Sequence, residues 1–148
     1  MARAITENFH EFVVEVETET PGTYAAICGL TARGINRTSN MSTSEVPDCD
    51  NEALPAAVER AVQSQEVTVT GQGVWAQTSH EMILDWWYSG ATKNVRVKNI
   101  KAAVGDTEIE AGPAYLVSIN NQGERGQKVT AEIEIQFDGV PTRTAKAA

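Results

Sequence analysis

The chain has 148 residues, 41% of them hydrophobic, and sets 20 acids against 12 bases for a formal charge of -8. That length supports one domain with a full core and leaves little for a second. The acidic balance excludes a tight grip on DNA or RNA, because phosphate binding draws its affinity from clustered Lys and Arg.

Cys28 and Cys49 are too few for a disulfide framework and, with only His10 and His80 to join them, do not resemble a zinc site. They read as reduced structural thiols, with a disulfide as the lesser alternative. After Arg3 come Thr6, Glu7, Asn8, His10 and Glu11 where a secretory signal would be apolar. No segment approaches the roughly 18 apolar residues of a membrane span. The expectation is a soluble protein made in the cytoplasm, with no membrane anchor.

The first predicted strand covers 11–18, with Val14, Val16 and Thr18 on one face and Val13, Glu15, Glu17 and Glu19 on the other. Pro21-Gly22 marks a turn, and Tyr24 to Leu30 reads as the return strand. Thr31 to Glu52, rich in Ser, Thr, Asn and Asp, reads as a long loop or an arm carrying short strands, and a loop of that length usually has a function. Leu54 to Val62, with Pro55 near its first turn, reads as a short helix.

Glu66 to Trp75 returns to strand character, with Val67, Val69, Gly71, Gly73 and Trp75 sharing a parity. Glycines on that inner parity would admit a close neighbour. A helix over Ser79 to Tyr88 follows, with Thr78 and Glu81 as a capping box, Met82, Ile83, Trp86 and Trp87 as its apolar stripe, and Gly90 as its stop. Val95 and Val97 then alternate with Arg96 and Lys98, and Tyr115, Val117 and Ile119 form another one-sided strand. The clearest strand is the last: Val129, Ala131, Ile133, Ile135 and Phe137 face one way, and Thr130, Glu132, Glu134 and Gln136 the other. Val140 to Ala148 reads as a flexible tail. The fold class is mainly β: an antiparallel β-sandwich or barrel with one flanking α-helix and a long inter-strand loop, in a single domain. Its sheet edges need protection or partners, and a closed ring of subunits is one solution.

No motif carries chemistry. Gly71-Gln72-Gly73 lacks the rest of a phosphate cradle, and His80-Glu81 lacks the second histidine of a zinc hydrolase. Asp48, Asp50 and Glu52 lack the glycine and the terminal Glu of a calcium loop, and no serine sits in a nucleophile elbow. Neither an enzyme, a cofactor nor a metal is expected. Trp86, Trp87 and Tyr88 follow consecutively and cannot all face one core, so two pack under the sheet and the third covers a rim or meets another subunit. Glu15, Glu17, Glu132 and Glu134 are a solvated face or, in a ring, the wall of a negatively charged channel.

The ordered set Ile27-Cys28-Gly29-Leu30, Thr38 to Glu45, Val67 to Val74, Ala111 to Ser118 and Gly126 to Ile133 running to Gly139 resembles the tail tube (major tail) proteins of long-tailed bacteriophages and gene transfer agents. The resemblance spans roughly residues 10–140. It implies a β-sandwich with a flanking helix, assembled as hexameric rings that stack into a hollow tube on a tape-measure protein and are bounded by tail terminator and tail-tip proteins. It also implies a virion tail assembled in the host bacterial cytoplasm, with DNA passing through the lumen without tight binding. By that analogy 31–52 is an assembly loop and 140–148 a tail that joins in stacking. Glu15, Glu17, Glu132 and Glu134 become lumen candidates, and Arg37, Met41, Glu45, Trp86 and Trp87 become subunit-interface candidates. A contractile or type VI secretion tube shares that ring and fold, and a monomeric sugar- or protein-binding sandwich is the alternative of another class.

Overall fold

The computed structural model describes residues 2–148. After a single 3-10 turn at Phe9–Glu11, the elements are β1 (Phe12–Glu17), β2 (Tyr24–Ala26), β3 (Leu30–Val46), β4 (Ala57–Val74), α1 (Gln77–Ser89), β5 (Lys93–Asn99), β6 (Thr107–Gln122), β7 (Thr130–Phe137) and β8 (Thr142–Ala145). The strands form one open sheet in the order β2-β1-β5-β6-β7-β4-β3, with β8 on β6. Every pairing is antiparallel.

The sheet folds over on itself because β6 pairs with different strands along its length. Its first half pairs with β5 and β8, its second half pairs with β7, and Ala114 alone faces both Lys93 and Phe137. One layer therefore holds β2, β1, β5, β8 and the first half of β6, and the other holds β3, β4, β7 and the second half. Gly112 sits at the crossover, where an added Cβ would lie 3.5 Å from Pro141 and 3.6 Å from the Phe137 ring. The inner faces meet in one core that joins Val14, Val16, Val95 and Val97 to Val67, Val69, Leu116, Ile133, Ile135 and Phe137. These are the alternating positions expected of half-buried strands.

Along β6 the sequence parity fails. Ala114 and Leu116 point inward, whereas Tyr115 and Val117, expected inside, are exposed. The register shifts between Leu116 and Ser118, so Val117 is the extra residue of a bulge and Ile119 returns to the core side.

Helix α1 and its N-cap both lie two residues earlier than expected, the helix starting at Gln77. Ala76 is the N-cap, no side chain caps it, and Thr78 and Glu81 form no capping box. Buried Ser79 instead accepts the Cys28 backbone N–H at 3.0 Å, tying the helix to the link between β2 and β3. Gly90 ends the helix at φ 64, a left-handed cap open to glycine. Ile83 and Trp86 enter the core. Trp86 is 2% exposed, and its indole N–H donates to the Ala91 carbonyl at 2.9 Å.

Of the two readings of 31–52, the loop is corrected and the arm carrying strands is what forms, with one long strand in place of short ones: β3 runs 17 residues to Val46, and its alternating Ser and Thr pair along β4. Two further expectations are corrected. Residues 54–62 form no helix, because β4 begins at Ala57 and the cross-strand ladder fixes them extended. The tail 140–148 is docked: Pro141 is buried and β8 pairs with β6 from Thr107 to Ala111.

Gly71 and Gly73 admit the neighbouring strand rather than a helix. A Cβ at Gly73 would overlap the Gly29 carbonyl oxygen and lie 2.7 Å from the Thr31 nitrogen, both rigid backbone. At Gly71 it would meet only side chains, the Leu30 methyls at 3.1 and 3.2 Å and Ile133 Cγ1 at 3.4 Å. Gly73→Ala is therefore expected to cost about 2 kcal/mol or more and Gly71→Ala clearly less, as read by urea unfolding; equal costs would contradict the contact.

Candidate assembly surfaces

The layer of β3, β4, β7 and β6 has an open concavity of about 520 Å³ on its outer face, lined by Ser118, Asn120, Glu132, Glu134, Thr70 and Gln72 among others. Its rows follow from register, since directly paired residues share a face. Ser118, Glu134, Thr70 and Gly34 form one row, and Asn120, Glu132, Gln72 and Ala32 the next. Among the described residues, the ion pairs engage Glu15, Glu81, Glu108 and Glu110, leaving Glu132 and Glu134 without a cation.

Glu15 and Glu17 lie on the other layer's outer face and are engaged within the chain. Glu15 accepts from Arg96 at 3.2 Å, and the Arg96 guanidinium stacks 4.2 Å from the Tyr24 ring centre. Glu17 accepts from the Asn94 amide at 3.3 Å and the Gly22 N–H at 3.4 Å. Two layers packed through their inner faces turn their outer faces apart, so the four glutamates expected on one wall divide into two pairs on opposite sides.

The concave layer is open along both edges. Among the described residues β3 pairs only with β4, and β6 beyond Ala114 pairs only with β7. Two long unpaired edges are what a soluble monomer avoids.

The hairpin of β3 and β4 also outruns the body. β7 supports β4 only over Thr68–Val74, so residues 38–66 stand as a two-stranded ribbon with no third strand. Such a ribbon is marginal alone in water. A register shift beyond Asn40 leaves Gln63 unpaired and sets Met41 opposite Val62, Thr43 opposite Arg60, and Glu45 opposite Val58. The bulge thus keeps Met41, Val62 and Val58 on one side of the ribbon, continuous with the core parity, yet all three are exposed, Met41 at 47%. Its far end closes through Asp48, whose Oδ1 accepts the backbone N–H groups of Asp50 and Asn51 at 2.8 and 3.2 Å.

A family model described as phage tail tube protein matches residues 6–143. The chain belongs to that family. Three solved structures share the fold of this tail tube family member. A gene transfer agent (GTA) tail, described as the tail of an empty GTA particle refined with C6 symmetry, aligns at TM-score 0.75 and 19% identity over 95% of this chain and 100% of that one. The virion of a native gene transfer agent particle aligns at TM-score 0.70 and 19% identity over the same shares. The SPP1 tail tube aligns at TM-score 0.67 and 12% identity over 95% of this chain and 80% of that one. Comparison with curated proteins finds no match. The family is structural, and this member of it is not an enzyme.

The residues singled out from sequence fall in three places. Met41 and Glu45 lie on the exposed ribbon. Trp86 is a core residue with no surface to offer another subunit; Trp87, 45% exposed, packs edge-to-face on Tyr88, which is 78% exposed. One of the three consecutive aromatics therefore packs inside, not two. Arg37 stays 54% exposed along its side chain but is engaged within the chain, its guanidinium forming a two-pronged hydrogen bond to Glu110 of β6 that raises its pKa further. His80 is structural, accepting the Trp75 indole N–H on Nδ1 at 2.6 Å. Among the described residues no cluster of metal-ligating groups forms, and Cys28 and Cys49 are both free and exposed, not packed inside.

Arg33 went unnoticed in the sequence. It shares the core-side parity of β3 with Ile35 and Arg37, and its guanidinium donates to the carbonyls of Phe9 (3.0 Å) and Phe12 while lying 4.1 Å from the Phe9 ring centre. The available signal was a pair of arginines at i and i+4 flanking an apolar residue on one strand face.

Glu15→Gln leaves the largely buried Arg96 facing a neutral group and is expected to destabilise by about 1–2 kcal/mol, against less than about 0.5 for Glu134→Gln. Chemical denaturation of both variants reads the difference, and equal losses would contradict the division of the glutamates.

Proposed function

We propose that this protein is the repeating subunit of a hollow tail tube, assembled as rings that stack and enclose a channel for DNA. One observation carries it: the concave four-stranded layer is open along both edges, β3 on one side and the second half of β6 on the other. Pairing β3 of one copy with β6 of the next satisfies both edges at once, and a rotation that closes makes a ring. Six copies per ring is the number taken from the C6 symmetry of the gene transfer agent tail. The concave outer face then becomes the inner wall, with Glu132 and Glu134 as its charges. Like charge and uncharged hydroxyl and amide groups repel or release a polyanion and let it slide.

Glu15 and Glu17 belong on the outside in this arrangement. The ribbon of residues 38–66 reaches a neighbouring copy, where Met41, Val58 and Val62 lose their water and Glu45 finds a partner. Trp87 is kept as a second candidate contact, on the helix surface. A tape-measure protein in the lumen, terminator and tip proteins at the ends, and assembly in the bacterial cytoplasm complete the proposal. A monomeric binding module would leave two edges and an apolar ribbon in water without purpose.

Replacing residues 40–64 by Asn-Gly joins Ser39 to Gln65, which already face each other, through a two-residue turn. The shortened chain is expected to keep the cooperative unfolding of the body and to lose tube formation under conditions where the intact chain forms rings and tubes, as seen by electron microscopy and sedimentation. Tubes of normal length without the ribbon would contradict its role; an intact chain that never forms rings would contradict the tube subunit itself. In tubes that assemble, Glu132→Lys with Glu134→Lys is expected to slow DNA delivery, and an unchanged ejection rate would remove these residues from the wall.

A further inference from the structure

We propose that Arg37 and Glu110 form the positioning contact that fixes the direction in which the ribbon leaves the body, so that assembly geometry is set inside each subunit before it meets another. Only the consequences for assembly rest on the tube proposal above; the contact itself lies within one chain.

Besides the ladder to β4 at its root, the ribbon has two side-chain anchors to the opposite layer, and both are arginines on the core-side parity of β3. Arg33 is held at β1 and the turn before it, by the carbonyls of Phe9 and Phe12 and the Phe9 ring. Arg37, four residues on, is held at β6 by both oxygens of Glu110. In the first layer β5 lies between β1 and β6, so these two contacts draw β3 as a line across the opposite layer. Two fixed points determine a direction; one leaves a pivot.

The second point is built to restrict rotation. A guanidinium gripping a carboxylate through two parallel N–H groups specifies an angle as well as a distance. The Glu110 side chain is only 13% exposed and its strand is fixed by β5 and β8, so the carboxylate is a stationary post. Arg37 is also the last residue with such a hold: it pairs with Val67, the last buried position on β4, and from Ser39 to Glu66 every residue is exposed. A ribbon of nine residues beyond Arg37 spans about 30 Å, so a tilt of about 10° at its root moves the tip about 5 Å, more than a side-chain contact tolerates.

Register places Arg143 of β8 opposite Glu110 as well. Arg143 makes no ion pair with Glu110 while Arg37 is present, but it lies on the adjoining strand within reach of rearrangement if the Arg37 guanidinium is removed. The loss falls on the ribbon's aim and not on the body's stability, which separates a positioning role from a general structural one.

The chain supplies its own reporters. Cys28 lies in the body and Cys49 near the tip of the ribbon, both free and exposed. Spin labels on the two native cysteines, read by pulsed dipolar spectroscopy on unassembled protein, are expected to give one narrow distance distribution. Arg37→Met, which keeps an unbranched side chain without the charge or the donors, is expected to broaden it at least about twofold, with Arg37→Lys intermediate because it keeps charge without the fork. Glu110→Gln is the second variant and must broaden it too. The thermal midpoint of Arg37→Met should stay within about 3 °C of the parent while the concentration needed for tubes rises about tenfold.

A narrow, parent-like distribution in Arg37→Met and Glu110→Gln, or a broad one in the parent, would overturn the inference whether or not tubes form. So would normal assembly of Arg37→Met at the parent's concentration. A narrow distribution in the intact protein that broadens in both variants, with an intact protein that never makes rings, would instead refute the tube proposal and leave the Arg37–Glu110 contact standing.

Discussion

The fold depends on one strand serving two layers. β6 must pair with β5 and β8 before Ala114 and with β7 after it, and this double membership folds an open eight-stranded sheet into a sandwich. From that follow the shared core, the opposed outer faces and the pair of free edges on the concave layer. Gly112 and Ala114 are small where Pro141, Phe137 and both partner strands converge, and larger side chains there would hold the layers apart. The bulge at Val117 re-aims the second half of β6 immediately beyond the crossover.

Burial is unevenly distributed in consequence. The body closes its core with Trp86, Ile135, Val14, Val16, Val69 and Val95 almost wholly covered. The ribbon keeps Met41, Val58 and Val62 in water, and a two-stranded hairpin gains too little from its own ladder to justify that exposure. Exposed apolar surface and unpaired backbone at defined places are stored association free energy, released when another copy supplies the partner groups. The division of acids fits the same scheme. Glu15 and Glu110 serve the body's own arginines, whereas Glu132 and Glu134 have no internal duty and remain to set the field of the concave face.

Much of this was legible in the sequence, and the failures share a cause. β1, β5 and β7 were readable because each buries one face in its own chain, so Val14 and Val16, Val95 and Val97, and Ile133 and Ile135 print their burial as a period of two. β6 misled because the extra residue at Val117 shifts the period midway, which alternation alone cannot register. The ribbon read as a loop and a helix because no surface within the chain covers it: Ser, Thr and Glu fill positions whose apolar partners would lie in another molecule. β8 was invisible because Thr-Arg-Thr-Ala is an exposed strand with no buried face. The four glutamates were grouped because strand parity gives a face of a sheet, and only the fold at β6 shows that one continuous face becomes two opposite surfaces. Trp86 and Trp87 were joined in one stripe, yet the buried helix positions are Ser79, Ile83 and Trp86, an arc that leaves Trp87 outside.

Helical reconstruction of tubes assembled from the purified protein tests the central claim most directly, because it shows which layer faces the lumen and what the free edges do. The account predicts Glu132 and Glu134 on the inner wall, Glu15 and Glu17 outside, and β3 of each copy hydrogen-bonded to β6 of the next. A lumen lined by the β1 and β5 layer, or rings in which β3 and β6 remain unpaired, would contradict it.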